Sequence, residues 1–154
     1  MATDQWDTTF TLDASAEVVY RHLADPHSYV GLSPLVVAVR DVRQVTDSRG
    51  RAAVAYVAVE RFRFARVLHW DNHIKVVMTA TEPGRELVSD VVSPGRVRLT
   101  ARVALTALDR GTQVTESVDV TFPAPLRRFV TGQARAVAAY RAEELIRRMS
   151  RPMV

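Results

Sequence analysis

The chain has 154 residues, 47% hydrophobic and 25% charged, with a formal net charge of +4 and no cysteine. Disulfides, thiol nucleophiles and cysteine-type zinc sites are thereby excluded, and no run of 18 apolar residues is present to form a membrane-spanning helix. Lys75 is the single lysine among 21 basic residues, and the arginines are dispersed among acids, which predicts a solvated basic surface rather than a nucleic-acid site.

The length predicts one domain over residues 1–154, large enough for a sizeable core. The first residues, Met1 to Asp7, are polar and acidic, unlike a secretory signal, so a cytoplasmic protein is expected. Trp6, Thr8, Phe10 and Leu12 alternate with polar residues, the pattern of a half-buried strand. Ser15 then offers a helix cap, with Glu17 in the first turn and Val18, Val19, His22 and Leu23 giving a short amphipathic helix. Asp25-Pro26 caps and opens a second short helix through Tyr29, which Gly31 and Pro34 stop.

From Leu35 the hydrophobic period changes to two. Leu35 to Val45 reads as a strand, with a phase slip near Asp41 that predicts a bulge. Ala52 to about Trp70 reads as one long β segment, Asp71-Asn72 as a tight turn and His73 to Glu82 as the next strand. Turn signals at Pro83-Gly84, Ser93-Pro94-Gly95 and Asp109-Arg110-Gly111 separate three more, ending at Phe122. From Pro125 to about Ser150 the period becomes 3.6. Leu126, Phe129, Val130, Ala134, Val137, Ala138, Leu145, Ile146 and Met149 share one side, and Arg127, Arg128, Arg135, Glu143, Glu144, Arg147 and Arg148 the other.

The expected fold is therefore α+β: a seven-stranded curved antiparallel sheet wrapped around a long C-terminal helix, in the order β-α-α-β-β-β-β-β-β-α. Four stretches carry a family likeness: Phe10 to Tyr20, Leu23 to Tyr29, Thr81 to Val88 and Gly111 to Thr115. They resemble the strand, helix and hairpin motifs of the START-like (SRPBCC, helix-grip) superfamily, which includes polyketide cyclases and dehydrases. The resemblance covers nearly the whole chain. It implies a deep apolar cavity between sheet and helix that takes a lipid, polyketide or similar molecule, with catalysis in a minority of members.

Within that frame, polar residues on faces that should be apolar mark candidate chemistry. Glu116 shares a face with Val114, Val118 and Val120, and an isolated buried carboxylate is costly unless paired or protonated. Glu60 and Arg66 share the parity of Tyr56, Phe62, Phe64 and Trp70; if that parity holds, all face inward, the two charges as an ion pair or ligand anchor, the alternative being that Arg61, Arg63 and Arg66 are solvated. A bulge would flip that parity. Glu116, Glu60 and Arg66 are the candidate catalytic residues. The expected ligand-binding residues are Tyr29, Leu32, Tyr56, Phe62, Phe64, Trp70, Met78, Leu99, Val118, Val137 and Tyr140. His69, Asp71 and His73 flank the expected tight turn without a recognised ligand spacing, so no metal site is expected. The chain has no Gly-rich phosphate loop or nucleophile elbow, which disfavours hydrolase, kinase and dinucleotide chemistry and leaves no cofactor expected.

Three functions follow. The favoured one is binding of a small hydrophobic molecule by a monomer or homodimer; the second is a polyketide cyclase, aromatase or dehydratase using the acid and base residues above; the third is a protein-interaction domain, cochaperone-like or ribosome-associated, that uses the basic surface and has a filled interior.

Overall fold

The computed structural model describes residues 1–150, apart from the side chain of Phe64; residues 151–154, the end of the expected domain, lie outside the described part. Seven strands form one antiparallel sheet in the order β1-β7-β6-β5-β4-β3-β2. They are β1 (Ala2–Leu12), β2 (Val36–Thr46), β3 (Ala52–Phe64), β4 (Leu68–Glu82), β5 (Glu86–Ser93), β6 (Val97–Ala107) and β7 (Thr112–Phe122). Between β1 and β2 lie α1 (Ala16–Leu23) and a 3₁₀ turn (Pro26–Tyr29); after β7 a 3₁₀ turn (Ala124–Leu126) leads into α2 (Arg127–Met149). This is the expected helix-grip architecture.

Local chemistry accounts for the joints. Ser15 accepts a hydrogen bond from the Val18 N–H at the start of α1, and Asp25 accepts one from His27 at the start of the 3₁₀ turn. The phase slip expected near Asp41 is a bulge: the β2–β3 register shifts between Arg40 and Arg43, and Asp41 takes a positive φ of 56°. Gly111 has φ 81°, and a Cβ there would lie 2.0 Å from the Leu12 carbonyl oxygen, so only glycine lets β7 begin this close to the end of β1. Beside it the buried Thr112 donates its hydroxyl to the Ala14 carbonyl at 2.7 Å.

One expected turn is misplaced. The β3–β4 connection lies at residues 65–67, with Ala65 at φ 55°, and Asp71 and Asn72 sit inside β4. Each is engaged across the hairpin. Asp71 accepts two hydrogen bonds from the Arg61 guanidinium at 2.8 and 3.0 Å, and Asn72 pairs with Glu60. The Asp-Asn signal marks side chains that bond along the ladder instead of turning the backbone.

The solid part of the core sits where α1 meets the sheet, built from Leu12, Val19, Leu23, Leu32, Met78 and Leu145. There the C-terminal turn of α2 is clamped. Arg148 donates to the carbonyls of Ser28 (2.7 Å) and Val30 (3.1 Å), and it faces His22 Nε2 at 3.1 Å. A guanidinium can only donate, so that nitrogen is the acceptor and His22 is neutral with its proton on Nδ1, toward Ser28. Burial first and Arg148 second hold the His22 pKa below its ordinary value, against Asp25. Arg148 and Glu144, expected on the wet side of α2, thus sit half-buried, while Ile146 is exposed. The cause is the clamp, which turns polar side chains inward at this end.

Candidate functional site

Away from the clamp, sheet and helix do not fill the space between them. Alanines stand at facing positions, Ala58 and Ala101 on strands and Ala134 and Ala138 on α2, and a cavity of about 560 Å³ remains. That volume falls in the roughly 300–1,000 Å³ range of small-molecule pockets. Its walls are mostly aliphatic; besides Ser33, Ser89 and Gln133, three polar groups interrupt them.

The first interruption joins β7 to α2. Alternation along β7 turns Val114, Glu116, Val118 and Val120 to the same buried face. Glu116 meets Arg141, three residues past Ala138 and four past Val137 on the inner stripe of α2, at 2.5 Å. Burial opposes the Arg141 cation, but the Glu116 carboxylate and the hydroxyls of Tyr29 and Tyr56 outweigh it and hold its pKa above the usual arginine value. The guanidinium also lies 5.9 Å from the Tyr29 ring centroid. The Tyr29 hydroxyl donates to the Leu23 carbonyl at 2.8 Å; burial pushes its pKa up to about 12, with Arg141 working against the rise. Burial, followed by Tyr29, raises that of Tyr56 as well. The group is one cation, one carboxylate and two neutral phenols at the edge of an apolar void.

The second interruption comes from three strands. Asn72 donates to Glu60 at 3.2 Å and to Ser93 at 3.1 Å. Burial raises the Glu60 pKa above the ordinary carboxylate value, and the Asn72 hydrogen bond offsets only part of this. Among the described residues no salt bridge involves Glu60, so the two carboxylates differ: Glu116 is paired with a cation, whereas burial biases Glu60 toward its protonated form. The third is the indole N–H of Trp6 on β1, buried without an acceptor among the described residues.

The cavity opens between the β3–β4 hairpin, the β5–β6 turn and the start of α2. Phe62 stacks on Trp70 with centroids 5.6 Å apart and meets Phe129 at 6.2 Å. Trp70 and Phe129 are both more than half exposed and form the rim.

Of the residues expected from the sequence, Glu116, Glu60, Tyr29, Tyr56 and Phe62 line the cavity, as do Trp70, Leu99, Val118 and Val137. Four are placed elsewhere. Arg66 is exposed in the hairpin turn, because β3 ends at Phe64 and its parity ends with it; Glu60 therefore has Asn72 and not Arg66 as its partner. Leu32 and Met78 belong to the solid core under α1 and do not reach the void. Tyr140 is exposed, since the 100° step between successive helical residues that turns Arg141 inward turns Tyr140 out. The side chain expected at Phe64 lies outside the described residues. Arg141, Asn72, Ser93 and Trp6 also line the cavity without having been singled out. The spacing from Val137 and Ala138 was the available signal for Arg141.

Solved structures share this fold. An aromatase/cyclase, Zhui from Streptomyces sp. R1128, superposes with a TM-score of 0.75 at 15% identity over 97% of this chain and 95% of its own. A START superfamily protein from Mycobacterium smegmatis gives 0.71 at 14% identity over 94% and 96%. BexL, a di-domain aromatase/cyclase from the BE-7585A biosynthetic pathway, gives 0.70 at 16% identity, with 98% of this chain on 51% of that one. At such identities the likeness concerns the fold. No curated protein matches the chain in sequence. Residues 4–151 match the family described as polyketide cyclase / dehydrase and lipid transport, nearly the entire chain, and the protein belongs to that family.

Proposed function

We propose that the protein encloses a small, mainly apolar molecule bearing carbonyl or hydroxyl oxygens in the cavity between the sheet and α2. The observation that carries this reading is the void of about 560 Å³ with apolar walls and the Arg141–Glu116 pair at its edge. Apolar burial supplies the affinity, and the few polar groups set the orientation. An interaction-only domain calls for a filled interior, which this one lacks. Native mass spectrometry of gently purified protein tests the proposal. A co-purified small molecule, released on denaturation, is the expected result; a cavity that neither retains nor takes up any lipophilic compound overturns it.

Catalysis is the second reading, and Glu60 favours it. A partly buried carboxyl with a raised pKa, in the wall of a cavity that Arg141 also lines, is suited to move a proton at a carbon beside a ketone while Arg141 polarises the carbonyl oxygen. Substitution Glu60→Gln keeps the acceptor for Asn72 but cannot titrate. Because the folded pKa of Glu60 is raised, its contribution to stability is full below the ordinary value of 4.5 and is lost as pH rises through the folded value. The variant is accordingly expected to melt like the parent near pH 4 and at a higher temperature than the parent at pH 8. On a cyclase substrate its turnover falls at least about 100-fold, with binding retained. Calorimetry at the two pH values and a turnover assay check the two halves. Unchanged turnover removes Glu60 from the chemistry.

A further inference from the structure

The surface around the cavity mouth carries its own pattern, independent of what the cavity holds. Residues 61–70 contain Arg61, Arg63, Arg66 and His69 and no acid; residues 120–142 contain Arg127, Arg128, Arg135 and Arg141 and no acid. These stretches are far apart in sequence, yet the Phe62–Phe129 contact brings them together at the mouth. Among the described residues, Arg61, Arg135 and Arg141 have carboxylate partners, whereas no salt bridge involves Arg63, Arg66, Arg127 or Arg128. All four are exposed.

Between these cations stands an apolar tip. Val67 is 86% exposed, Leu68 66%, Phe129 56% and Trp70 52%. Val67 lies three residues beyond Trp70, so the tip projects about 10 Å past the aromatic rim at ~3.3 Å per residue. Isolated exposed apolar residues are ordinary, but a cluster of large ones around the mouth of an apolar cavity is not. The β3–β4 ladder continues to the Phe64–Leu68 pair, so the backbone up to the turn is already hydrogen-bonded.

We propose that this face docks on an anionic membrane surface, with Val67 and Leu68 entering the boundary between headgroups and acyl chains and Arg63, Arg66, Arg127 and Arg128 meeting acidic headgroups. Three features favour a membrane over an acidic protein. The apolar part is a convex tip rather than a groove, its reach matches the ~5–10 Å depth of interfacial insertion, and a tryptophan stands at headgroup level. In this orientation the cavity mouth opens toward the bilayer.

The test is flotation of the full chain with phosphatidylcholine vesicles, with and without about one third phosphatidylglycerol, at about 0.05 M and about 0.5 M salt. Binding is expected only with phosphatidylglycerol and is expected to weaken at high salt. The substitutions Arg63→Gln and Arg66→Gln together are expected to lower partitioning about 25-fold, fivefold for each charge. Val67→Ser with Leu68→Ser lowers it about tenfold or more. All four side chains are exposed, so both variants keep the parental melting temperature. Equal binding to neutral vesicles, no binding to either, or variants that bind like the parent overturn the proposal. So does a parental dimer that the Val67→Ser/Leu68→Ser variant converts to a monomer, because the tip is then a self-interface.

Discussion

Arg141→Met is expected to destabilise the protein by about 3 kcal/mol, lowering the melting temperature by about 6–12 °C. Methionine keeps much of the aliphatic stem, so the loss is not chiefly one of packing. What changes is Glu116. It is 7% exposed between Val114 and Val118 on the buried face of β7, and Arg141 is its cation at 2.5 Å. Without that partner the carboxylate must stay charged in an apolar wall or take up a proton, and both are costly. Adding Glu116→Leu removes the stranded charge, and the double variant is expected to recover most of the loss. Thermal denaturation of the two single variants and the double forms the cycle that measures this coupling. A cost below about 1 kcal/mol for Arg141→Met shows instead that water in the cavity hydrates Glu116, and the pair then counts as solvated. The recovered double variant also separates folding from function: it keeps the void but lacks the cation proposed to orient the ligand.

Ala101→Phe is expected to abolish uptake of a lipophilic probe without unfolding the protein. Ala101 lies in mid-β6 with its side chain toward the cavity. In a filled core such a change overpacks and costs about 1–3 kcal/mol. Here a benzyl group enters an existing void and gains contacts, so the melting temperature is expected to stay within about 3 °C. The neutral fluorophore N-phenyl-1-naphthylamine serves as the probe. Its dissociation constant is expected to rise at least about tenfold in the variant, because the ring occupies the volume the probe needs. Ala139→Phe, on the exposed side of α2, is the control and leaves binding unchanged. If Ala101→Phe binds the probe as the parent does, the probe sits elsewhere and the cavity loses its claim as the binding site.

The residues that could be read directly from the sequence are those whose environment depends on local periodicity. The parity of β3 held from Val54 to Phe62, so Tyr56, Glu60 and Phe62 were assigned to the inside as found. The alternation of β7 singled out Glu116 in the same way. Errors gathered where a side chain's partner lies on another element. Asn72 was read as a turn residue because its taste for local backbone bonds is the only part visible along the chain; its actual partners, Glu60 and Ser93, are 12 and 21 residues away. Arg66 was carried inside by a parity that stopped two residues earlier, at a turn without glycine, asparagine or proline. Leu32 and Met78 share the composition of cavity residues, and only the position of α1 and its following turn decides that they are buried in a solid core.

The sequence by itself determined the order of elements, the antiparallel meander, the β2 bulge and the long closing helix, because periods of 2 and 3.6, caps and turn residues act within a few positions of one another. It also placed Glu116 on an apolar face. Only the tertiary structure decided that this carboxylate meets Arg141, that Glu60 accepts from an amide and joins no salt bridge among the described residues, and that two acid-free stretches about 50 residues apart converge on one rim. Those outcomes depend on where a curved sheet closes against a helix, and a void between them is a difference of volumes that no single stretch of chain encodes.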